Sequence, residues 1–272
     1  MSKMAEIKRN TIRDIIAAKG QRKLVTLTAY TTPVAEILDR HCDLLLVGDS
    51  VGMVLHGMKD TTAVTLDMMI MHGKAVMRGS QKALVVVDLP FGSCEESPQV
   101  AYRSALRLMQ ETGCQAVKIE YNKFAAQTVE FLVERGIPVV GHIGLRPQYL
   151  NVDGGYRVAG KTDESKRELV QNAKQMAAAG CFAIVLEGVV SHIAGEVTHA
   201  VPVPTIGIGA STECDGQILV TDDMLGMFPR TPKFVRRYAN LMETIDSAVK
   251  QYADDVKDQS FPSENEMYGV SR

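Results

Sequence analysis

The chain has no excess of either charge and no run of Lys and Arg dense enough to follow a nucleic-acid backbone. Its 30 basic residues are matched by 32 acidic ones, which gives a formal net charge of −2. Proteins that bind nucleic acids through the phosphates need a concentrated positive surface. The composition therefore argues against a nucleic-acid partner.

Long apolar segments are also missing. No apolar run approaches the roughly 18 residues of a membrane-spanning helix, and the opening MSKMAEIKRN lacks the apolar stretch of a secretory signal. The five cysteines are scattered, odd in number and contain no CxxC pair, which is typical of reduced, buried thiols. We therefore expect a cytoplasmic protein with no membrane partner.

What the sequence does contain is a regular alternation of two kinds of segment. Short continuous runs rich in Val, Ile and Leu favour parallel strands that are covered on both faces. Amphipathic stretches lie between them, and Ser97-Pro98 has the N-cap and first-turn residues of a helix start. The eight apolar runs span residues 23–30, 43–50, 83–90, 115–120, 137–144, 182–188, 203–210 and 217–223.

Eight strands alternating with helices predict an α/β protein of the (β/α)8 TIM-barrel class, and 272 residues fit its usual size. A doubly wound open sheet is the alternative, but GIGAST at 207–212 lacks the third glycine of a dinucleotide-binding fingerprint. We predict one domain over residues 1–272, with an N-terminal helix at about 11–19 that covers one end of the barrel. A helix at about 232–257 would precede a mobile tail at about 258–272.

Four carboxylates fall at the ends of four different predicted strands: Asp49, Asp88, Glu120 and Glu187. In a TIM barrel the carboxyl ends of the strands meet at one mouth, where the active site lies. Each acid alone could be a helix N-cap or a turn residue. Together they would repel one another, and a bound divalent cation is the simplest compensation. Oxygen ligands without a cysteine favour Mg²⁺ over Zn²⁺.

Three more polar side chains accompany these acids. Lys118 lies two residues before Glu120 and therefore on the same face of its strand. It could pair with Glu120, hold a substrate carboxylate or form a Schiff base. His142 is either a buried core histidine or a residue that lines the site, and Tyr30, at the end of the first strand, is a further candidate to line it. The other histidines have no partner that the sequence identifies.

Seven motifs, in order along the chain, resemble the ketopantoate hydroxymethyltransferase family. They are LVGDS at 46–50, DLPFGS at 88–93, VKIE at 117–120, GHIGLRPQ at 141–148, GGYRVAG at 154–160, VLE at 185–187, and GIGA with DGQILV at 207–220. The similarity runs from about residue 8 to about residue 265. Two stretches depart from the family pattern, Gly188–Val190 and Ser211–Cys214, and both flank the expected mouth.

The resemblance implies a barrel of the phosphoenolpyruvate/pyruvate type and assigns a role to each acid. By position, Asp49, Asp88 and Glu120 match the ligands of a Mg²⁺ ion, and one ion is expected per subunit. Glu187 matches the proton acceptor of the family. The acids that the strand pattern places at the mouth are thus the same acids that the family uses.

The resemblance also implies which residues contact a 2-oxo acid substrate. The positions that match these contacts are Asp49, Ser50, Asp88 and Lys118. His142 matches a histidine that lines the site. Within this reading Lys118 would hold the substrate carboxylate as a point charge.

The reaction implied is hydroxymethyl transfer from 5,10-methylenetetrahydrofolate to 3-methyl-2-oxobutanoate. It would proceed through a Mg-stabilised enolate with Glu187 as base, giving 2-dehydropantoate for pantothenate and coenzyme A biosynthesis. The family forms homodecamers, so a similar assembly is expected. Two other classes compete. A Mg²⁺-dependent C–C lyase on the same barrel typically carries a KKCGH-like loop, which is absent. A non-catalytic barrel would be expected to have lost some of the strand-end acids.

Overall fold

The computed structural model describes residues 8–269 and contains a closed barrel of eight parallel strands in sequential order. The TIM barrel predicted from the alternation of segments is therefore confirmed, and the doubly wound sheet is not formed. The strands are β1 Leu24–Thr28, β2 Leu44–Val47, β3 Leu84–Asp88, β4 Ala116–Glu120, β5 Val139–Gly144, β6 Ala183–Glu187, β7 Thr205–Ile208 and β8 Gly216–Leu219.

Helices connect the strands. They are α1 Ile12–Ala17, α2 Thr32–Leu38, α3 Val51–Val54, α4 Leu66–Gly79, α5 Pro98–Thr112, α6 Ala125–Val133, α7 Leu150–Asp153, α8 Asp163–Ala178, α9 Ser191–Ala200, α10 Thr221–Met224 and α11 Leu241–Lys257, with a 3-10 turn at Pro147–Tyr149. As predicted, α5 begins at Pro98, and the Ser97 side chain accepts a hydrogen bond from the Val100 N–H. No helix among residues 8–269 is long and apolar enough to cross a membrane.

Side-chain parity along the strands separates two buried layers. In β3, Val85 and Val87 belong to the cluster that packs against the helices, whereas Leu84 and Val86 belong to a second cluster inside the barrel. Asp88 follows Val86 by two residues and therefore points inward. A strand that is apolar on both faces for most of its length thus ends with a carboxylate in the barrel interior.

The same parity directs four other polar side chains inward. In β4 the inner cluster contains Ala116, so the next inward positions are Lys118 and Glu120. In β5 it contains Val140, and His142 follows two residues later. In β6 the inward positions end at Glu187.

Helix α1 contributes to the inner cluster. Its Ile15, together with Ala18 just beyond its end, packs in the same layer as Leu24, the first residue of β1. The helix begins at a capping box, in which Thr11 and Asp14 satisfy each other's free backbone N–H groups. These contacts place α1 at the amino-terminal end of the barrel, opposite the carboxyl ends of the strands.

The chain divides into two compact units between Val220 and Thr221. The first contains the barrel and the second contains α10 and α11. The prediction of one domain over residues 1–272 stays a prediction, as does that of a mobile tail, whose residues 270–272 lie outside the described part. Helix α11 has no buried residue, and apolar side chains spaced three and four apart form an exposed stripe: Met242, Ile245, Val249, Tyr252 and Val256.

Helix α11 begins at Leu241, so the expectation of a helix from about residue 232 is wrong at its start. The reason lies in the backbone hydrogen bonds of the second unit. The N–H groups of Tyr238, Leu241 and Met242 donate to the carbonyls at 224–226 rather than to the residues four positions before them. The segment before Leu241 is thereby held against the α10 turn and cannot continue the helix.

The five cysteines lie in five different loops, two of them on either side of α5, and all of them are free and buried, as the sequence predicted. Burial raises the pKa of Cys42 to about 12 and also raises the pKa of Cys94, Cys114 and Cys181. These thiols are therefore protonated and unreactive in the folded chain.

Gly144, the last residue of β5, provides a test of how tightly the mouth is built. Its φ is +98°, and a Cβ there would clash with the carbonyl oxygen of Glu187. Gly92 also has a positive φ, +83°, but its Cβ would meet nothing within 4 Å. We expect Gly92→Ala to cost about 1–2 kcal/mol of unfolding free energy, and Gly144→Ala about 2–5 kcal/mol because strain and crowding add. Urea unfolding would measure both, and equal losses would contradict this account.

Candidate active site

The inward polar side chains lie side by side in the strand ladder. Asp88 of β3 is paired in register with Lys118 of β4, and Glu120 of β4 is paired with His142 of β5. Glu187 ends β6 beside Gly144. The predicted site residues are thus brought to one place because adjacent parallel strands end at the same height.

Lys118 forms a buried ion pair with Asp88. Its Nζ lies 2.9 Å from Asp88 Oδ1, and both side chains are almost wholly excluded from solvent. The partner is therefore Asp88, and the structural pair with Glu120 that the sequence suggested is not formed. Burial acts to lower the pKa of Lys118, but the surrounding carboxylates outweigh it and raise the pKa. Lys118 is therefore an ammonium, which disfavours a Schiff-base role.

The carboxylates hold more negative charge than one lysine can neutralise. Burial, aided by the charge of Asp88, raises the pKa of Asp49 to about 7. Burial also raises the pKa of Asp88 and Glu120, although Lys118 opposes the shift in both. A site in which several acids resist ionisation favours the binding of a further positive charge.

The oxygen atoms of this cluster are of the kind that suits a cation. Asp88 Oδ2 accepts a hydrogen bond of 3.0 Å from the Asp49 N–H, and Asp88 Oδ1 is the oxygen that pairs with Lys118 Nζ. Carboxylate oxygens with no sulfur nearby are the donors that Mg²⁺ prefers, and Mg²⁺ needs only one or two carboxylates. As the side chains stand, no three His, Cys, Asp or Glu side chains of the described chain enclose a metal position.

Glu187 differs from the other acids because its side chain is 19% exposed, so that a ligand can reach it. Burial of the carboxyl group raises its pKa to about 7, against the opposing effect of Lys118. A carboxylate that is ionised near neutral pH and still basic is suited to accept a proton.

His142 lines the site as a neutral imidazole. Burial lowers its pKa to about 3. Its Nε2 lies 2.7 Å from the Leu145 carbonyl oxygen, so Nε2 carries the proton and donates it. Nε2 is also 3.6 Å from Glu187 Oε2, and Nδ1 is 3.5 Å from Lys118 Nζ. His142 therefore separates the ammonium from the exposed acid, and it does not fill the apolar core.

Ser50 has a hydroxyl group that does not cap the helix it precedes. It is the N-cap residue of α3, but its side chain makes no capping hydrogen bond. Instead its Oγ lies 2.8 Å from the Tyr30 hydroxyl. A Cβ on Gly48 would lie 2.9 Å from that Oγ and 3.6 Å from Asp88 Oδ2. The glycine of LVGDS therefore allows the serine and the acid to approach each other.

Gln148 is a residue that the sequence reasoning missed. It lies in the 3-10 turn after β5 and is 3% exposed. Its Nε2 donates to Asp49 Oδ2 at 2.8 Å and to the Leu89 carbonyl oxygen at 2.9 Å, and its backbone N–H donates to Glu120 Oε2 at 3.2 Å. The only available signal was its place at the end of the GHIGLRPQ motif.

A histidine pair supports Tyr30 from outside the barrel and was also missed. His72 Nδ1 lies 2.8 Å from the Tyr30 carbonyl oxygen, so Nδ1 must be the donor. Its Nε2 is 2.9 Å from His56 Nε2. The unprotonated Nε2 of His72 therefore accepts a hydrogen bond from the Nε2–H of His56. The 42 positions between His72 and Tyr30 leave no local pattern from which this contact could be found.

Comparison with known proteins decides the family. The family model described as ketopantoate hydroxymethyltransferase matches residues 9–264. The chain belongs to the ketopantoate hydroxymethyltransferase family. A 3-methyl-2-oxobutanoate hydroxymethyltransferase from Maricaulis maris is 59% identical over 97% of this chain and 95% of its own. One from Phenylobacterium zucineum is also 59% identical, over 97% and 96% of the two chains.

Among solved structures, 2,3-dimethylmalate lyase, a member of the PEP mutase/isocitrate lyase superfamily, has the same barrel. The TM-score is 0.59 at 16% identity, with 95% of this chain and 92% of the lyase covered. At this identity the similarity establishes the fold and nothing more. It agrees with the closed eight-stranded parallel barrel that this member of the ketopantoate hydroxymethyltransferase family forms.

The Lys118 ion pair leads to a prediction about stability and pH. Replacement by Met leaves buried acids without compensation, and breaking such a pair costs about 3–5 kcal/mol. The pKa of each acid in the folded state would then rise further above its pKa in the unfolded chain. The folded state would therefore hold protons that the unfolded state has released, and its stability would fall as pH rises toward the folded pKa. The loss caused by Lys118→Met should therefore grow between about pH 6 and about pH 8.5.

Lys19→Met is the matched control for this measurement. Lys19 pairs with buried Asp215 at 2.9 Å on the other end of the barrel, and the pKa of Asp215 is lowered by hydrogen bonds from Thr205 and Gly20 as well. We expect Lys19→Met to lose the same unfolding free energy at about pH 6 and at about pH 8.5. Urea unfolding of the wild-type chain and both variants at each pH measures these losses. A Lys118→Met loss that does not change with pH would contradict the electrostatic account.

Proposed function

We propose that the chain transfers a hydroxymethyl group from 5,10-methylenetetrahydrofolate to 3-methyl-2-oxobutanoate and forms 2-dehydropantoate, a step of pantothenate biosynthesis. The observation that carries this proposal is the pairing of a reachable base with a buried ammonium in one mouth, Glu187 and Lys118. The name of the relatives, at 59% identity over nearly the whole chain, supports this substrate. It also makes hydroxymethyl transfer the better choice over a lyase reaction or a non-catalytic barrel.

The substrate carboxylate would be held by two groups. Lys118 stays protonated and supplies a fixed positive charge. Ser50 supplies a hydroxyl donor, and the hydrogen bond of its Oγ with the Tyr30 hydroxyl sets its position. Lys118 is almost wholly excluded from solvent, so the opposite, alkyl end of the substrate would face the more exposed Glu187.

Asp49, Asp88 and Glu120 are the residues that would hold a Mg²⁺ ion, one per subunit. When bound, the ion would supply Lewis acidity at the 2-oxo group of the substrate and make the C3 proton more acidic. The raised pKa of all three buried acids supports this assignment, since a bound cation would favour their ionised forms. The Asp49 N–H donates to the Asp88 carboxylate, which keeps these two acids together at the place where the substrate would bind.

Glu187 would accept the C3 proton. Its pKa of about 7 leaves a large ionised fraction at neutral pH and still favours proton uptake. His142, neutral and 3.6 Å away, places an N–H beside the carboxylate without adding a second positive charge that would make it less basic. C3 would then bond to the methylene carbon of the folate as the first of its two C–N bonds breaks. Water would replace the second nitrogen and supply the hydroxyl group, and the C3 proton and the remaining proton of water would go to the two nitrogens of tetrahydrofolate.

We also propose that the chain acts in the cytoplasm as a homo-oligomer, with a decamer expected from the family. The exposed apolar stripe on α11 supports self-association, because Ile245 and Val249 would otherwise face water with more than two fifths of their surface. Light scattering of the purified full chain should give a mass well above the 29.7 kDa of one subunit. A monomer at micromolar concentration would contradict this part of the proposal.

The decisive experiment follows exchange of the C3 hydrogen of 3-methyl-2-oxobutanoate in deuterated water without folate. The wild-type chain should exchange it with Mg²⁺ present and lose the activity in EDTA. Glu187→Gln should reduce exchange by about 10²–10⁴-fold and still bind the substrate. Glu196→Gln, which alters an exposed acid paired with Lys166, is the matched control and should exchange normally. Exchange by Glu187→Gln at the wild-type rate would disprove the role of the base.

A further inference from the structure

Gln148 joins the ends of three strands from a turn that follows a fourth. Its side-chain amide contacts Asp49 after β2 and the Leu89 carbonyl after β3, and its backbone N–H contacts Glu120 at the end of β4. The turn itself begins three residues after β5 ends at Gly144. Few buried side chains could restrain half of the barrel mouth at once.

The chemistry of its partners fixes the orientation of the amide. Asp49 Oδ2 and the Leu89 carbonyl oxygen can only accept, so the NH₂ group must face both of them. Both of its N–H bonds are then used, and the amide cannot turn without leaving two buried acceptors unsatisfied. Gln148 therefore holds the Asp49 carboxylate in one rotation.

The two carboxylates that Gln148 touches each retain a second oxygen. Gln148 takes Asp49 Oδ2 and Glu120 Oε2, one oxygen per group. Its third partner, Leu89, directly follows Asp88, the acid that pairs with Lys118. Gln148 thus contacts two of the three acids assigned to the ion, Asp49 and Glu120, and also the residue that follows the third, Asp88.

We infer that Gln148 is a positioning residue for the metal-binding carboxylates, holding Asp49 and Glu120 in a rotation that leaves one oxygen of each for a divalent cation. This inference rests on the proposed function. Buried like charges repel and would otherwise turn apart, so the donors of Gln148 lower the cost of gathering them before the ion arrives. Outer donors of this kind typically contribute 10–100-fold to metal affinity.

Gln148→Met is the variant that isolates the side-chain donors. It keeps the length and the backbone N–H bond to Glu120, and it removes both amide hydrogen bonds. Gln115→Met is the matched control. Gln115 also makes two side-chain hydrogen bonds, accepting from the Val85 N–H at 2.9 Å and donating to the Gly113 carbonyl at 2.8 Å, but at the amino-terminal ends of the strands.

Titration of the full-length proteins with Mn²⁺, followed by electron paramagnetic resonance, measures the metal dissociation constant directly. We expect a rise of about 10–100-fold for Gln148→Met and less than about twofold for Gln115→Met. In the exchange assay, Gln148→Met should raise the Mg²⁺ concentration that gives the half-maximal rate. The fold-change in this concentration should exceed the fold-change in the rate at saturating Mg²⁺. A purely structural defect would lower the saturated rate without moving the metal constant.

Four outcomes would contradict the inference, and they separate it from the proposed function. A wild-type chain that binds no Mn²⁺ would overturn both. Wild-type binding with an unchanged constant in Gln148→Met would overturn the inference alone. An equal rise in Gln115→Met would show that the effect is not local. Gln148→Asn, which keeps the amide but withdraws it by one methylene, gives the same comparison if the Met variant does not fold, and an unchanged constant there would also overturn the inference.

Discussion

The ammonium group of Lys118, buried among Asp49, Asp88, Glu120 and Glu187, is the interaction on which the mouth of the barrel depends. Without it, four inward carboxylates would have to be neutral or the strands that hold them would have to separate. With it, one positive charge lies among the four acids and opposes the rise that burial causes in the pKa of each. The barrel can therefore gather these carboxyl groups within one buried cluster.

The sequence was sufficient for the barrel and for the direction of its polar side chains. Continuous apolar runs marked the strands, and the period of two in VKIE placed Lys118 and Glu120 on one face. It was not sufficient for the partner of Lys118, because the local spacing suggested Glu120. That choice depends on the register of β3 against β4, which pairs Asp88 with Lys118 and is a property of the closed sheet.

The supporting contacts could not be predicted for a related reason. Gln148 and His72 act through partners 99 and 42 positions away, and neither contact follows from a local period or a turn preference. The start of α11 was missed because distant backbone carbonyls compete for the N–H groups before Leu241. The polar residues at the ends of strands can thus be identified from the local sequence, whereas the hydrogen bonds that orient them form between residues far apart in the chain. Side chains such as Gln148 give the acids a defined geometry that strand parity alone does not provide.

The five buried thiols have a further consequence. Cys42 lies between β1 and β2, Cys94 and Cys114 lie on either side of α5 between β3 and β4, Cys181 lies between β5 and β6, and Cys214 lies between β7 and β8. A thiol that is shielded from solvent can be alkylated only when its surroundings open, and the rate of labelling then gives the free energy of that opening. The chain thus contains five natural probes in four of the connections between its strands, with which the cooperativity of a (β/α)8 barrel can be followed without introducing a foreign label.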